Sequence, residues 1–482
     1  VSKNKLEKKS SIKTNVLLSL FVQVISLMVS FILNLIVPKF IPELSYAHWQ
    51  TFVLYSGYVG VLHFGLLDGL VLRYSQYDYD QLDKTRVRSQ YYALLVGNAF
   101  ITFTTMLFVS IFVGGVNKLI FILVAVSVLS RNLFTYTSYI FQITNRIKIY
   151  AKIVIAQRMF FGLFTVVLLL LHVENFYMYC IADMCGDLVG ILLGFIYSRE
   201  LYIGKSLKLN ETLRELKKNV SSGCMLLVAN WSSLLLISGA KMIIQWHWGD
   251  LAFGKVSFSF SITNLFLAFV TAISVVLFPQ LKRMDKDKLP QLYVTIRNAI
   301  TPVLFISLLT YYPGSIVLAR WLPKYKESLE YLGIMLPIII YASKVSLLTN
   351  NYLKAYREEK KMLLVNIVSV ALSMSAFIIS SYVLDNMNLM LYFIVFFIMF
   401  RSIGSEMIVA KIININLWKD FFIEALMTMA FILCASHMSF YMGCLVYAAL
   451  LVVYLFIYKD SLKQFINLKP KKRSEAKAQE DK

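Results

Sequence analysis

Three cations stand in the middle of stretches that are otherwise apolar: Arg131, Lys344 and Arg401. A charge at the centre of a membrane helix costs about 2.5–3.5 kcal/mol on insertion scales, so such a group is expected to face a wet cavity or a counter-ion. Arg131 and Lys344 are 213 positions apart, and a second pair, Arg146 and Arg357, is 211 apart. The first two therefore occupy near-equivalent places in a duplicated chain. If two bundles face each other, both cations are expected on one central cleft. Arg158 and Lys241 lie nearer the ends of their apolar runs, where long cationic side chains reach the interface, and they complete the candidate set. A cationic cleft between low-dielectric walls concentrates anions, and guanidinium matches phosphate geometry. The expected chemistry is non-covalent capture of an anionic, membrane-borne headgroup such as a pyrophosphate. The competing reading ties each cation to a buried carboxylate that only fastens helices.

The carboxylates for that reading are Asp68, Asp183, Asp187, Glu406 and Glu424, all within apolar runs. Asp183 and Asp187 are four apart and share one helix face. Intramembrane carboxylates are also the groups that couple proton or cation movement to transport. Gly186, Gly190 and Gly194 run beside the first pair, and Gly65 and Gly69 flank Asp68, at the spacing that lets helices approach closely. Pro302 and Pro337 are expected to bend their spans. Asn230, Ser257, Ser261 and Asn264 are expected either to line a cavity or to bond between helices. Tyrosine is abundant, with 29 residues, a composition that suits interfacial belts and sugar stacking alike.

Other chemistries are not signalled. The five histidines show no HExxH spacing, and Cys180, Cys185, Cys224, Cys434 and Cys444 include no CxxC pair, so neither a metal site nor a disulfide framework is expected. Gly204-Lys205-Ser206 lacks the upstream glycine of a phosphate-binding loop, because Arg199 stands there. The chain is read as a non-enzyme without a cofactor.

The elements that hold these groups follow from composition. The 482 residues are 58% hydrophobic and 16% charged, where soluble proteins average about 45–50% and 25%. The excess falls in continuous blocks of about twenty residues, the length of a membrane-spanning helix, and not in the alternation of barrel strands. The fold class is all-α, a polytopic membrane protein of about fourteen spans. They are expected near 14–37, 49–72, 89–113, 119–141, 153–171, 177–198, 220–245, 253–280, 295–320, 328–352, 362–384, 389–411, 419–437 and 443–459. The first is read as a retained span, since it lacks the cleavage signal of a leader. The net charge of +21 sits mostly in alternate connections, from Arg73/Lys84/Arg86/Arg88 through Lys205/Lys208/Arg214/Lys217/Lys218 and Lys282/Arg283/Lys286/Lys288 to the tail from Lys469. The opposite connections hold little beyond Lys39, Lys118, Lys255, Lys324 and Lys326. This is the positive-inside pattern, with both termini cytoplasmic, and not a nucleic-acid-binding face. A basic linker at 199–219 divides a six-span bundle (1–198) from a second one (220–411), followed by two further spans and a basic tail (412–482). Halves with an even number of spans enter the membrane from the same side, as in parallel-repeat transporters.

With this topology, with Phe64-Gly65-Leu66-Leu67-Asp68-Gly69-Leu70 through Arg73, with the Arg146 segment, and with Asn350-Asn351-Tyr352-Leu353-Lys354-Ala355, the chain resembles the polysaccharide flippases of the multidrug/oligosaccharidyl-lipid/polysaccharide exporter superfamily. The resemblance implies movement of undecaprenyl-pyrophosphate-linked oligosaccharide, an O-antigen or capsule repeat unit, across the bacterial cytoplasmic membrane by alternating access. Its implied partners are that lipid, the surrounding membrane lipids, and the polymerase and glycosyltransferases of the same pathway. The alternatives are a lipid II flippase, a multidrug-and-toxin antiporter and, in a different class, a membrane polysaccharide polymerase or glycosyltransferase. The cations weigh against a pump for organic cations, and short outer connections weigh against an enzyme.

Overall fold

The computed structural model describes residues 2–283 and 289–459, and all regular structure among them is helical. Lys286, Lys288 and the tail cations Lys469, Lys471, Lys472 and Arg473 lie outside the described residues. The first half comprises α1 (Ser2–Phe31), α2 (Val37–Phe40), α3 (Glu43–Ser56), α4 (Leu66–Tyr74), α5 (Lys84–Phe112), α6 (Gly115–Ile143), α7 (Ile147–Leu170) and α8 (Phe176–Tyr197). The second holds α9 (Leu209–Arg283), α10 (Leu289–Leu308), α11 (Tyr311–Trp321), α12 (Lys326–Met335), α13 (Ile338–Lys344), α14 (Asn350–Ala355), α15 (Glu359–Ile378) and α16 (Met387–Ile412). Two more follow, α17 (Trp418–His437) and α18 (Phe440–Ile457).

Ten of these helices are long and apolar enough to cross a bilayer, and three bent pairs raise the number to thirteen. At about 1.5 Å per residue, the 75 residues of α9 would extend well beyond a single bilayer crossing. Gly249 breaks it with φ 83° and ψ 178°, a conformation open to glycine alone. Dividing α9 there gives fourteen apolar traversals, the number expected. The boundaries differ most where helices begin early: α9 starts at Leu209, inside the supposed linker, and α10 at Leu289.

The duplication shows in how helices end. Asn145 (φ 62°) and Arg357 (φ 59°) are both left-handed, and each precedes a backbone bond that closes its helix, Arg146 N to Phe141 O at 2.9 Å and Glu358 N to Leu353 O at 2.8 Å. This is the same Schellman-type closure at an offset of 212. His172 and Asp385, also left-handed, lie 213 apart. The basic connections of the first half gather on one face: Arg146 reaches Asp80 at 3.4 Å, and Tyr79 donates to Glu200 at 2.9 Å.

Bends fall at specific residues. Between α3 and α4 the chain turns 60° through left-handed Phe64 and Gly65. Pro337 sits at the 48° bend between α12 and α13, as expected of an interior proline. Pro302 does not end its helix. It lies inside α10, and the 41° bend comes later, between α10 and α11. Of the glycine ridges, Gly186 packs on Gln157 of α7, while Gly190 and Gly194 pack on Phe134 and Thr137 of α6. Gly65 and Gly69 do something else. They press against Gly223, Cys224 and the Asn219 backbone of α9, and so join the two halves near the basic face. Arg73 seals that contact with bonds to Glu215 (2.8 Å) and Asn219, and Asn219 in turn bonds Gln90.

A methyl group on Gly69 would run into the Asn219 carbonyl, whereas one on Gly97 meets nothing within 4 Å. Overpacking a tight contact costs about 1–3 kcal/mol. Gly69→Ala is therefore expected to lower the thermal midpoint of the detergent-solubilised protein, and Gly97→Ala to leave it unchanged or raise it, as read by thermal unfolding.

Candidate functional site

A cavity of about 530 Å³ opens between the halves. The first half supplies Asn34 from a π-helical segment at Ile32–Ile36, Trp49 and Gln50 from α3, Arg131 and Thr135 from α6, Arg158 and Phe161 from α7, and Asp183 from α8. The second supplies Lys241, Ser261 and Asn264, all from α9. Single π turns of this kind recur at functional sites, because the extra residue rotates side chains out of the regular helix face.

Three cations line this space, and they are not equally neutralised. Arg131 is held by Asp183 at 2.5 Å and by Asp187 at 3.4 Å. Asp187 also accepts from Gln157 at 3.2 Å, and its second oxygen is buried without a hydrogen bond among the described residues. Arg158 and Lys241 form no ion pair or hydrogen bond among the described residues; the Lys241 ammonium lies 4.8 Å from the Phe260 ring. Around this cavity, three cations face two carboxylates. The site is net positive.

Lys344 does not face Arg131. It is fully buried in the second half, 2.5 Å from both Glu406 and Glu424. Arg297 completes the cluster, bonding Glu406 at 2.8 Å, Glu424 at 2.6 Å and Asp420 at 3.5 Å. The reason is local. Each half offers a carboxylate two spans further along the chain, Asp183 for Arg131 and Glu406 for Lys344, so each cation turns into its own bundle. The extra span α17 then brings Glu424 and Asp420 to the second cluster. Arg401 is also absent from the cavity wall. It donates to the Ser233 carbonyl of α9 at 3.3 Å, and its Nε is buried without a partner among the described residues. Asp68 lies 4.0 Å from His63 beside the break after α3. Asn230 is exposed, and Ser257 is buried away from the cavity wall.

Arg158 and Lys241 correct the sequence reading in the other direction. Expected near span ends and free to reach the interface, they instead border the central space. Arg158 falls midway along α7. Arg297 and Asp420 escaped notice because their helices seemed to begin beside them. The earlier start of α10 places Arg297 two turns inside.

No family model matches the sequence, and no curated protein does. Solved structures do match. The lipid II flippase MurJ in an inward closed conformation aligns with a TM-score of 0.66 at 11% identity, covering 93% of this chain and 99% of that one. The fold is that of the MOP-superfamily transporters. An inward-facing MATE family transporter of the MOP superfamily aligns at 0.60 with 14% identity, over 82% of this chain and 98% of its own. A MOP superfamily transporter from Pyrococcus furiosus, described as having a binding pocket of reverse polarity, aligns at 0.58 with 12% identity, over 83% and 96%. These MOP-fold neighbours are transporters and a flippase, not enzymes, and the chain that shares their fold is a multi-pass membrane protein.

Removing one partner from a buried charge cluster costs about 3–5 kcal/mol, because the charges left behind are unpaired. Lys344→Ala is therefore expected to lower the unfolding midpoint in detergent steeply, and Arg158→Ala to leave it near the wild-type value. Equal effects from both would show that the two cations have the same structural role.

Proposed function

We propose that the chain is a flippase that carries a polyprenyl-pyrophosphate-linked oligosaccharide across the bacterial cytoplasmic membrane by alternating access, its basic face being cytoplasmic. The observation that supports this is the pair Arg158 and Lys241, without an ion pair or hydrogen bond among the described residues and bordering one cavity from opposite halves. An ammonium and a guanidinium with no carboxylate bonded to them in a low-dielectric wall favour an anion between them. Two linked phosphates suit two cations from two elements, and they tie the halves together while bound. Arg131 is the third contact, released to the phosphate from Asp183 and Asp187. A carboxylate set free in this way is the group to take up a proton or cation, so ion coupling is assigned to this pair. Lys344, Glu406 and Glu424 neutralise one another outside the cavity, which supports a fastening role for them.

A cavity lined by three cations opposes the export of organic cations, although two of the MOP-fold neighbours named above are a MATE family transporter and a relative of reverse pocket polarity. The likeness to a lipid II flippase favours a second reading within the same chemistry, in which the saccharide is a cell-wall precursor. Competition between the two lipid-linked saccharides in one assay separates them.

The test is movement of undecaprenyl-pyrophosphate-linked oligosaccharide in proteoliposomes. Charge-assisted hydrogen bonds carry about 1.5–3 kcal/mol, so Arg158→Ala and Lys241→Ala are each expected to slow movement about tenfold or more while keeping the fold. Wild-type rates from both variants would overturn the anion site.

A further inference from the structure

Four aromatic rings lead from the cavity wall to the seam where the halves meet on the face opposite the basic one. Trp49 lines the cavity and stands edge-on to Tyr46 at 5.8 Å between ring centroids. Tyr46, fully buried, is in turn edge-on to Tyr325 at 5.6 Å and to Phe258 at 6.3 Å, and those two stack at 4.6 Å. Trp49 and Tyr46 belong to α3 of the first half, Phe258 and Tyr325 to the second, so the run crosses the seam. Beside it a methyl group on Gly254 would press on Ala47, which shows how closely the halves approach here.

Three polar atoms along this run are unsatisfied among the described residues. Trp49 Nε1, the Tyr325 hydroxyl and the Ser328 hydroxyl are buried without a hydrogen-bond partner among the described residues. The Tyr46 hydroxyl lies beside Ser261, itself on the cavity wall. A buried donor left unmade is a cost of the closed state, and water or a hydroxylated ligand relieves it when the seam opens. Aromatic faces with hydroxyl and indole N–H groups at their edges are also the surface that pyranose rings bind, apolar face on the ring and hydroxyls at the rim.

We propose that Trp49, Tyr46, Tyr325 and Phe258 form the exit track for the saccharide part of the cargo. When the seam is closed the rings pack on one another. When it opens the same rings stack against sugar, and their unpaired polar atoms take the sugar hydroxyls. The inference rests on the flippase reading above and adds to it a division of labour, with phosphates on the cations and sugar on the aromatic run.

The experiment compares two probes in proteoliposomes, bare undecaprenyl pyrophosphate and the same lipid carrying a neutral tetrasaccharide, and reads the ratio of their rates. Tyr325→Phe and Tyr46→Phe keep each ring and remove one hydroxyl. Each is expected to lower the glycosylated-to-bare ratio about fivefold, the factor carried by one hydrogen bond of about 1 kcal/mol. Arg158→Ala slows both probes together and leaves the ratio unchanged. A ratio that stays at the wild-type value in both tyrosine variants overturns the track and leaves the anion site intact. Wild-type protein that moves neither probe overturns the flippase reading, and the track with it.

Discussion

A charge moved out of water into a protein interior loses several kcal/mol of solvation even after its surroundings relax. Four intramembrane cations of this chain answer that loss in two different ways. Lys344 and Arg297 are enclosed by Glu406, Glu424 and Asp420 at 2.5–3.5 Å, with almost no surface left to solvent. That cluster joins spans from α10, α13, α16 and α17, so it ties the first of the two additional spans to the second bundle. Arg158 and Lys241 have no such enclosure, and the cavity they border is the part of the fold that this difference in neutralisation marks out.

The two halves therefore share a scaffold and differ in chemistry. The helix closures at Asn145 and Arg357 superpose the same backbone device on both. In the first half the corresponding ion pair, Arg131 with Asp183, borders the cavity, with Asp183 buried and Arg131 partly exposed. In the second, an extra span adds carboxylates and closes the equivalent place entirely. α9 contributes to much of what joins the halves. Its first segment meets α4 through Gly223 and Asn219, its second meets α3 through Gly254, and Lys241, Ser261 and Asn264 face the cavity between. Gly249, whose positive φ turns the chain between the two segments, is what lets one stretch of chain do both.

Much of the fold was legible in the sequence, because a bilayer leaves few backbone solutions and imposes its thickness on every span. The number of spans, the clustering of cations on one face and the internal offset near 212 all follow from hydropathy and charge. The site was legible in part. Arg131 stands out of place in the sequence, as do Asp183 and Asp187, whereas Arg158 and Lys241 enter the candidate set only as cations near span ends. Hydropathy does not say which way a side chain turns about its helix, so the apposition of Arg131 with Lys344 was inferred from sequence offset alone and is not what the structure shows. Buried carboxylates decided that orientation, and two of the groups that set it, Arg297 and Asp420, were hidden by helix ends placed several residues off.

The proposed transport requires phosphate to occupy the space between Arg158 and Lys241. A structure of the full chain with undecaprenyl-pyrophosphate-linked oligosaccharide bound measures this directly. The diphosphate is predicted to sit in the cavity, within hydrogen-bond distance of Arg158 and Lys241 and beside Arg131. Diphosphate bound elsewhere, with these two cations still facing an empty cavity, would contradict it.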